Sequence, residues 1–323
     1  MPCMRPIISQ SVCRQIAAHA CRGGLSSSQS SAHSSSYSAQ PSTRSNMSTI
    51  STGRRRIRAI TMDVTGTMVQ FNGRIEEHYG NAARWCGVAL SPAEVSHIPP
   101  SFNQAYKETC AKYPCFGNSS MSAKQWWREC VIRCLELSGA RMTRDQEERV
   151  FQRVYSIFGS HATYSAFPDA APFLKWAHRR GIIVGVVSNA DERYGDSIIP
   201  MLDLADRLSF MVFSKEVGEE KPHQKIFDAA VHAAEPWLVK ERRWGADAAP
   251  LIPSEVLHIG NDFDKDYVGA TNAGFQAVLI DRFKNGEGEE WARDGAPVFE
   301  DLIDVVEYFA REGFIGPNDN NEQ

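Results

Sequence analysis

Residues 57–67 are Ile-Arg-Ala-Ile-Thr-Met-Asp-Val-Thr-Gly-Thr, and this stretch decides the fold class. It consists of a short apolar run, Ile57–Val64, which includes one acid, Asp63, and is followed by turn residues. A second run, Gly181–Ser188 (GIIVGVVS), is apolar up to its last residue. Continuous apolar runs of this length are typical of parallel strands that are covered on both faces. We therefore predict one buried strand that delivers Asp63 to a sheet edge and a second that ends at Ser188.

Strand and helix patterns alternate along the rest of the chain. Three further apolar runs predict strands at Leu208–Phe213, Val256–Gly260 and Ala277–Asp281. Helical spacing of apolar residues predicts helices at Ala171–Arg180, Tyr194–Leu202, Gln224–Ala234 and Asp301–Arg311. Such alternation predicts an α/β fold built on a doubly wound parallel sheet, a Rossmann-type core.

A long block between the first two strands has helical spacing and no convincing strand. Its predicted helices are Ile75–Cys86, Phe102–Tyr113, Ala123–Ser138 and Thr143–Phe158. We predict that residues 73–165 form an inserted helical cap domain, and that residues 56–72 and 166–315 form the α/β core. The turn-rich stretch Pro114–Met121 is the predicted tip of the cap.

The first 55 residues have the composition of a targeting segment. The stretch is rich in Arg and Ser, and the first acid of the whole chain is Asp63. This pattern is shared by mitochondrial and plastid transit peptides. We predict a leader without fixed structure over residues 1–55, directed to the mitochondrion, with a plastid as the alternative. Translation from Met47 would give a cytoplasmic form. A basic tail of no consequence is the competing interpretation, and residues 316–323 are predicted to be a disordered tail.

The distribution of charge excludes one class of function. Residues 1–58 hold eight Arg and neither Lys nor an acid, so the remainder has 27 basic against 39 acidic side chains. A body this acidic lacks the basic surface expected of a nucleic-acid binder. No apolar run approaches the ~20 residues of a membrane span. We therefore expect neither nucleic acid nor a membrane among the partners.

Five cysteines follow the leader, and they fall in one stretch of the predicted cap. They are Cys86, Cys110, Cys115, Cys130 and Cys134. None forms a Cys-x-x-Cys pair, and no His follows at zinc-finger spacing. We interpret them as small core residues of a protein in a reducing compartment.

Polar side chains follow the predicted strands at their carboxyl ends, where open parallel sheets bind ligands. The candidates are Asp63, Thr65, Thr67, Ser188, Asn189, Lys221, Asn261, Asp262 and Asp266. An aspartate can form an acyl-phosphate intermediate. Ser188 and Asn189 can supply hydrogen bonds to phosphoryl oxygens, and Lys221 can offset the repulsion between Asp63 and a phosphate. Mg²⁺ suits the acidic loop after the fourth strand.

These residues, in this order, resemble the four motifs of the haloacid dehalogenase superfamily. The motifs are Asp63-x-Thr65-Gly66-Thr67, Ser188-Asn189, Glu220-Lys221-Pro222, and Gly260 with the acidic loop to Asp266. The resemblance spans about residues 57–310 and implies that the helical block is the cap of that fold. Within the cap, Ser122–Trp127 after Tyr113-Pro114-x-Phe116-Gly117 resembles a narrower group of the superfamily.

The resemblance also implies a role for each candidate residue. It implies catalytic roles for Asp63, Thr65 and Lys221, and phosphate binding by Thr67, Ser188, Asn189 and Lys221. It implies that Mg²⁺ is held by Asp63, Thr65, Asn261, Asp262 and Asp266, with Thr65 acting through its backbone carbonyl.

Two positions depart from the superfamily pattern. Phosphatases of the superfamily usually have a second Asp two residues after the nucleophile, where this chain has Thr65. An acid or base at such a position typically contributes ~10²–10⁴ in rate. Asn261 stands where the first Asp of the fourth motif is expected, and the lost charge should weaken Mg²⁺ binding. A shift of one residue to Asp262 would compensate.

Three functional hypotheses follow. The first is a Mg²⁺-dependent phosphatase of a small phosphorylated metabolite, slowed by Thr65. The second is a binding or regulatory protein that keeps the fold with little turnover, for which Thr65 and Asn261 are the support. The third is a metal-independent, dehalogenase-type hydrolase in which Asp63 attacks carbon. Helical caps favour small substrates in each enzymatic case, because a closed lid excludes water and large ligands.

Overall fold

The structure is a computed structural model that describes residues 56–240 and 249–312. The predicted leader, its alternative start at Met47 and the predicted tail at residues 316–323 lie outside the described residues. No helix in the described ranges is both long enough and apolar enough to cross a bilayer.

The core is a six-stranded sheet in which all paired strands run parallel. Its strands are β1 (Ala59–Met62), β4 (Ile183–Ser188), β5 (Phe210–Phe213), β6 (Val256–Gly260), β7 (Gln276–Ile280) and β8 (Val298–Phe299). Their order across the sheet is β5-β4-β1-β6-β7-β8. The chain fills one side of β1 with β4 and β5 and then crosses to β6 on the other side. The carboxyl end of β1 is therefore the switch point at which such sheets bind ligands.

Helices cover both faces of the sheet, which confirms the predicted fold class. They are α6 (Ala170–Arg179), α7 (Ile199–Met201), α8 (Ser214–Val217), α9 (Gln224–Lys240), α10 (Gly269–Asn272), α11 (Glu287–Arg293) and α12 (Leu302–Glu312). Side chains alternate along β1. Ile60 and Met62 pack on the face that is covered by Phe173 of α6, whereas Ala59 packs on the face that is covered by Phe227 of α9. Burial on both faces explains why the strand is apolar except at Thr61, whose hydroxyl lies 2.8 Å from His258 Nδ1.

The helical block forms a domain with an apolar core of its own. Its helices are α1 (Ile75–Trp85), α2 (Pro92–Ser96), α3 (Ile98–Lys112), α4 (Ala123–Ser138) and α5 (Arg144–Ile157). Phe102, Trp126 and Phe151 are fully buried in this core. Helices α4 and α5 begin at capping boxes, in which the side chains of Ser122 and Thr143 accept from the backbone three residues later. Such reciprocal bonds satisfy N–H groups that the first helical turn leaves unpaired.

Two short strands that the sequence analysis missed connect the cap to the core. They are β2 (Val69–Phe71) and β3 (Tyr164–Ala166), which pair antiparallel outside the main sheet. The boundary that we predicted after residue 165 falls inside β3. A strand of three residues is too short for the alternation of apolar and polar side chains to be recognised in the sequence.

Two other predictions need correction. The segment predicted as one helix over Tyr194–Leu202 is a π-helical turn over Tyr194–Ile198 that continues into α7. The stretch Pro114–Met121 is not the tip of the cap, because Lys215 of α8 donates three hydrogen bonds to its backbone carbonyls. The stretch therefore lies against the core.

The cysteines of the cap are free thiols. Cys86, Cys115, Cys130 and Cys134 are buried, and Cys110 is half-buried. Burial raises the pKa of the Cys115 thiol to about 11, so this thiol stays protonated and unreactive at neutral pH.

Candidate active site

Four of the predicted side chains meet in one buried cluster at the carboxyl end of β1. Asp63 follows β1 and Ser188 ends β4, while Lys221 and Asp266 follow β5 and β6. Lys221 Nζ donates to Asp63 Oδ1 at 2.8 Å and to Asp266 Oδ1 at 2.7 Å. Ser188 Oγ donates to Asp63 Oδ1 at 3.0 Å. Both donors reach Oδ1, so Oδ2 of Asp63 has no hydrogen-bond donor among the described residues and is the oxygen available for attack.

The charges of the cluster are strongly coupled. Burial raises the pKa of Asp63, and Lys221 only partly opposes this effect. Burial also disfavours the charged form of Lys221, but Asp266 and Asp63 outweigh it, so the lysine pKa is raised. Lys221 and His258 in turn hold the pKa of Asp266 below its usual range in spite of burial. Lys221 is therefore a permanent cation between two carboxylates, of which Asp266 is always ionised and Asp63 is the more easily protonated.

Asp266 is fully occupied by protein donors. Its Oδ1 accepts from Lys221 and, at 3.2 Å, from His258 Nε2. Its Oδ2 accepts from the backbone N–H groups of Asn261 and Asp262 at 2.9 and 3.0 Å. A carboxylate offers about four lone-pair sites, so these bonds leave no oxygen site of Asp266 free for direct metal ligation. Asp266 instead orients Lys221 and the loop after β6.

His258 is a neutral partner in this cluster. Burial lowers the pKa of the imidazole. Its Nδ1 lies 2.8 Å from Thr61 Oγ1. The hydrogen-bond network assigns the proton to Nε2, which donates to Asp266, while Nδ1 accepts from Thr61.

Asn189, which we predicted to bind phosphate, uses its side chain to hold the lysine loop. Its Oδ1 accepts from Lys221 N at 2.7 Å, and its Nδ2 donates to Lys221 O at 3.0 Å. These two hydrogen bonds to the backbone of Lys221 fix the position from which the lysine side chain extends. Phosphate binding by Asn189 stays a prediction.

Thr65 occupies the position of the missing second carboxylate and contacts a phenol. Thr65 Oγ1 lies 3.0 Å from Tyr194 Oη, and the Tyr194 hydroxyl also bonds Tyr164 of β3. Burial raises the pKa of Tyr194 well above its usual value. The phenol therefore keeps its proton at neutral pH and is a poor general acid.

Thr67 is held by a residue that the sequence analysis missed. Arg282, just after β7, donates to the Thr67 carbonyl and pairs at 2.7 Å with Asp169. Thr67 Oγ1 lies 3.5 Å from Asn261 Oδ1, which brings the first and fourth motifs together. Arg282 follows a strand in the sequence, but nothing in its neighbourhood distinguishes it there from a surface arginine.

Asp262 does not face the cluster as a free carboxylate. Its Oδ1 accepts from Lys265 N at 3.0 Å, and its Oδ2 accepts from Lys265 Nζ at 2.7 Å. Direct metal ligation by Asp262 would require Lys265 to be displaced. The predicted compensation for Asn261 by a shift of one residue thus has no support in this geometry.

The remaining oxygen donors fit a magnesium ion of low intrinsic affinity. Among the described residues, no group of three or more His, Cys, Asp and Glu side chains is placed to hold a metal. The other predicted ligands are Asp63 through Oδ2, Thr65 through its backbone carbonyl and Asn261 through its amide oxygen, and together they include one formal charge. Mg²⁺ is often bound by one or two carboxylates together with water and substrate phosphate. The donor set therefore fits Mg²⁺ if the phosphate of the substrate completes the coordination.

A cavity of about 50 Å³ lies between the cap and the core, beside this cluster. Its core side includes Thr65 and Asn189, the near neighbours of Asp63 and Ser188, although Asp63 itself does not line it. Its walls are mostly aromatic, from Phe71, Tyr79, Phe102, Tyr106, Phe116, Trp127, Tyr155, Phe158, Tyr164 and Tyr194. The only charged side chains among its described lining residues are Asp191 and Arg193.

The two charged residues of the cavity connect the cap to the core. Trp127 Nε1 donates to Asp191 Oδ2 at 2.6 Å. The Arg193 guanidinium lies over the rings of Trp127 and Tyr155, 5.4 and 4.5 Å from their centroids. Trp126 is fully buried in the core of the cap, whereas Trp127 lines the cavity and contacts the core domain, and adjacent Trp residues give no sequence signal that separates the two positions.

The family comparison agrees with this geometry. A family model for haloacid dehalogenase-like hydrolases matches residues 57–274. The chain is 28% identical over 228 residues to haloacid dehalogenase-like hydrolase domain-containing protein 3 of Mus musculus, covering 70% of this chain and 83% of that protein. It is 25% identical to the rhythmically expressed gene 2 protein of Drosophila melanogaster, with 70% and 83% covered. The narrower resemblance is thereby confirmed as one to haloacid dehalogenase-like hydrolase domain-containing protein 3.

Solved structures share the fold at low sequence identity. The L-2-haloacid dehalogenase of Xanthobacter autotrophicus with covalently bound chloropropionic acid has a TM-score of 0.53 at 16% identity, over 79% of this chain and 98% of that chain. The HAD-hydrolase YfnB of Bacillus subtilis, bound to magnesium, has a TM-score of 0.54 at 12% identity, over 79% and 99%. The motifs, the sheet and the family match lead to one conclusion: the chain belongs to the haloacid dehalogenase-like hydrolase family.

Proposed function

We propose that this hydrolase is a Mg²⁺-dependent phosphatase of a small phosphorylated metabolite that works through an aspartyl-phosphate at Asp63. The observation that carries the proposal is the placement of Lys221. Its ammonium group binds Asp63 Oδ1, while Oδ2 has no hydrogen-bond donor among the described residues, and Thr65 and Asn189 beside the cluster line the cavity between cap and core. An anionic nucleophile next to a buried cation suits attack on an anionic electrophile, because the cation offsets the repulsion between them.

The residues of the cluster divide the first chemical step among them. Asp63 Oδ2 attacks phosphorus and forms a mixed anhydride, while the bond to the leaving oxygen breaks. Lys221 balances the negative charge that Asp63 and the phosphoryl group bring together. The Ser188 hydroxyl, which donates to Asp63 in this structure, is close enough to turn toward a phosphoryl oxygen. Thr67 can bind a second oxygen from the opposite loop.

In the second step, water attacks the anhydride and regenerates Asp63. No carboxylate stands at position 65 to activate that water, so we expect hydrolysis of the intermediate to be slow. A bound Mg²⁺ would supply positive charge against the phosphoryl oxygens. Asp63, the Thr65 carbonyl and Asn261 are the residues that would hold it.

A metal-independent, dehalogenase-type reaction is the second candidate. The observation in its favour is that protein donors already occupy Asp266 and Asp262, so that of the three predicted metal-binding carboxylates only Asp63 is left for a metal. Halide also needs no proton when it leaves, which suits Thr65. The third reading, a binding protein with little turnover, is supported by Thr65 and Asn261 together.

One experiment separates these alternatives. The full chain is assayed on a panel of phosphorylated metabolites and on 2-chloropropionate, with Mg²⁺ or with chelator, beside Asp63→Asn. Mg²⁺-dependent phosphate release that Asp63→Asn abolishes would support the phosphatase. Chloride release in chelator would favour the dehalogenase. Turnover no greater than that of Asp63→Asn on every compound would favour the binding protein.

The leader supports a separate proposal about location. Its Arg-rich, acid-free composition supports import into the mitochondrion. Fractionation of cells that express the full chain would test this, and a protein found only in the cytosol would contradict it.

A further inference from the structure

The cavity between cap and core is lined mainly by aromatic rings and offers a polar ligand few partners. Its two charged side chains are largely engaged, and Arg193 Nε is the one buried nitrogen of the pair without a hydrogen-bond partner among the described residues. Asp191 accepts from Trp127 Nε1 and from the backbone N–H of Arg193, and Arg193 covers two aromatic rings. The hydroxyls of Thr65 and Tyr194 bond each other. A polyol such as a sugar needs a partner for each hydroxyl, and buried polar groups without partners are destabilising.

The aromatic walls instead suit a flat apolar group. Trp127 and Phe116 have ring centroids 6.0 Å apart, and Tyr164 and Tyr194 have centroids 6.1 Å apart with an edge-to-face arrangement. Aromatic rings prefer such offset and edge-on contacts with one another. The lining therefore offers a further ring the same kind of contact that its members make among themselves.

The chemistry at position 65 gives an independent constraint on the leaving group. A superfamily phosphatase with a carboxyl group at this position can protonate the departing oxygen, and Thr65 cannot. The nearest phenol, Tyr194, already shares its hydroxyl with Thr65 at 3.0 Å and with Tyr164. A leaving group must therefore depart as an anion that is stable by itself. Phenols ionise near pKa 10, whereas an ordinary hydroxyl such as that of water is a far weaker acid.

We propose that the phosphate is carried on an aromatic hydroxyl, so that the ring enters the aromatic cavity and leaves as an aryloxide. This inference rests on the proposed phosphatase function. In the step it describes, Asp63 Oδ2 forms a bond to phosphorus and the bond between phosphorus and the aryl oxygen breaks. The electron pair stays on the aryl oxygen, which then takes a proton from water.

The size of the cavity adds a requirement for movement. At about 50 Å³ it is smaller than the ~150 Å³ apolar cavity that holds benzene in an engineered protein core. The cap must therefore move away from the core to admit a ring. The strands β2 and β3 are the connections about which it would move.

The first test compares leaving groups on the full chain with Mg²⁺. Phenyl phosphate and benzyl phosphate carry the same ring, but only phenyl phosphate releases a stabilised anion. We expect kcat/KM for phenyl phosphate to exceed that for benzyl phosphate by at least ~10², the lower end of the effect of general acid catalysis, and turnover of glucose 6-phosphate to be lower still. Equal kcat/KM values for phenyl and benzyl phosphate, or a preference for glucose 6-phosphate, would overturn the inference and leave the phosphatase proposal standing.

Acetyl phosphate distinguishes failure of the inference from failure of the proposed function. Its leaving group is a stable anion that needs neither a ring pocket nor an acid. Turnover of acetyl phosphate without a preference for phenyl over benzyl phosphate would overturn only the inference. If neither acetyl nor phenyl phosphate is hydrolysed faster than by Asp63→Asn, the proposed function fails and the inference fails with it.

Two substitutions test the two halves of the argument. Thr65→Asp restores a carboxyl group, and we expect the ratio of benzyl to phenyl phosphate turnover to rise at least tenfold. Val154→Phe fills the cavity from α5, and we expect the ratio of phenyl to acetyl phosphate turnover to fall at least tenfold. The control Ile303→Phe, on the exposed face of α12, should leave both ratios unchanged. Unchanged ratios in Thr65→Asp or in a folded Val154→Phe would contradict the corresponding half.

Discussion

Trp127 of the cap donates its indole N–H to the carboxylate of Asp191 in the core, at 2.6 Å. Asp191 is 1% exposed, so this bond joins the two domains in a region that excludes water. Hydrogen bonds to charged groups typically contribute ~1.5–3 kcal/mol. The contact therefore has the strength to hold the cap closed over the cluster of Asp63, Ser188, Lys221 and Asp266.

Trp127→Phe should weaken this closure. Phenylalanine keeps an aromatic ring at the cavity but removes the donor, which leaves one oxygen of a buried carboxylate without its partner. We expect the free energy of unfolding to fall by about 1–3 kcal/mol and KM for a cap-enclosed substrate to rise. Urea unfolding and steady-state kinetics measure the two effects. Trp85→Phe is the matched control, because Trp85 is 75% exposed, and a loss of stability as large as in Trp127→Phe would contradict the role of the bond.

Lys215→Met should release the cap loop from the core. Lys215 Nζ donates to the carbonyls of Phe116, Asn118 and Met121 at 3.1, 2.7 and 2.8 Å. The loop contains non-glycine residues with left-handed φ values, 54° at Phe116 and 38° at Asn118, a conformation that persists only when its surroundings enforce it. We expect ~2–4 kcal/mol of lost stability and faster amide exchange in this loop than elsewhere.

The control for that substitution is Lys225→Met, at an exposed position in the first turn of α9. Chemical unfolding of both variants, with hydrogen exchange on the loop, makes the comparison. Similar exchange rates for the loop in Lys215→Met and in the unsubstituted chain would show that the loop keeps its conformation without the lysine.

The sheet and the catalytic cluster were predictable because their signals are local. The apolar run before Asp63 and the run that ends in Ser188 are long enough to identify buried strands, and parallel strands place their carboxyl ends at one edge. The motif order then identified Lys221 and Asp266. The capping boxes at Ser91, Ser122 and Thr143, which begin α2, α4 and α5, are equally local signals, but the prediction used none of them.

The contacts between cap and core could not be predicted in the same way. Trp127 and Asp191 are 64 residues apart in sequence, and no sequence pattern around either residue predicts their contact. Lys215 looks like a surface residue of a short helix until the loop that it binds is placed beside it. The sequence also could not show that Asn189 and Asp262 are already hydrogen-bonded to lysines. It shows an amide and a carboxylate, but only the structure shows that Lys221 and Lys265 are their partners.

Asn261→Asp should strengthen Mg²⁺ binding. The available donor set has a single carboxylate, Asp63, and a second negative charge would increase the attraction for a divalent cation. We expect about a tenfold lower Kd, which corresponds to ~1.4 kcal/mol, measured by calorimetric titration of the full chain with MgCl₂ alone. Asp262→Asn is the control, because Lys265 already occupies that carboxylate. A larger effect on Mg²⁺ affinity from Asp262→Asn than from Asn261→Asp would show that Asp262, and not Asn261, is the metal ligand.

Asp63→Asn should make the protein more stable at neutral pH, although it removes the nucleophile. Burial raises the pKa of Asp63 in the folded state, whereas the unfolded chain has the ordinary value of about 3.9. The folded state then binds the proton more tightly, so the stability linked to Asp63 is fully present below about pH 3.9 and is lost as the pH rises through the raised pKa.

Asparagine at position 63 cannot ionise, so the Asp63→Asn variant does not suffer this loss. We therefore expect a higher unfolding temperature for Asp63→Asn than for the unsubstituted chain at pH 7, with the difference shrinking toward pH 4. Thermal unfolding of both proteins from pH 4 to pH 8 measures it, with Asp228→Asn on the exposed side of α9 as the control. A difference that grows as the pH falls would mean that Lys221 outweighs burial and that the pKa of Asp63 is lowered instead.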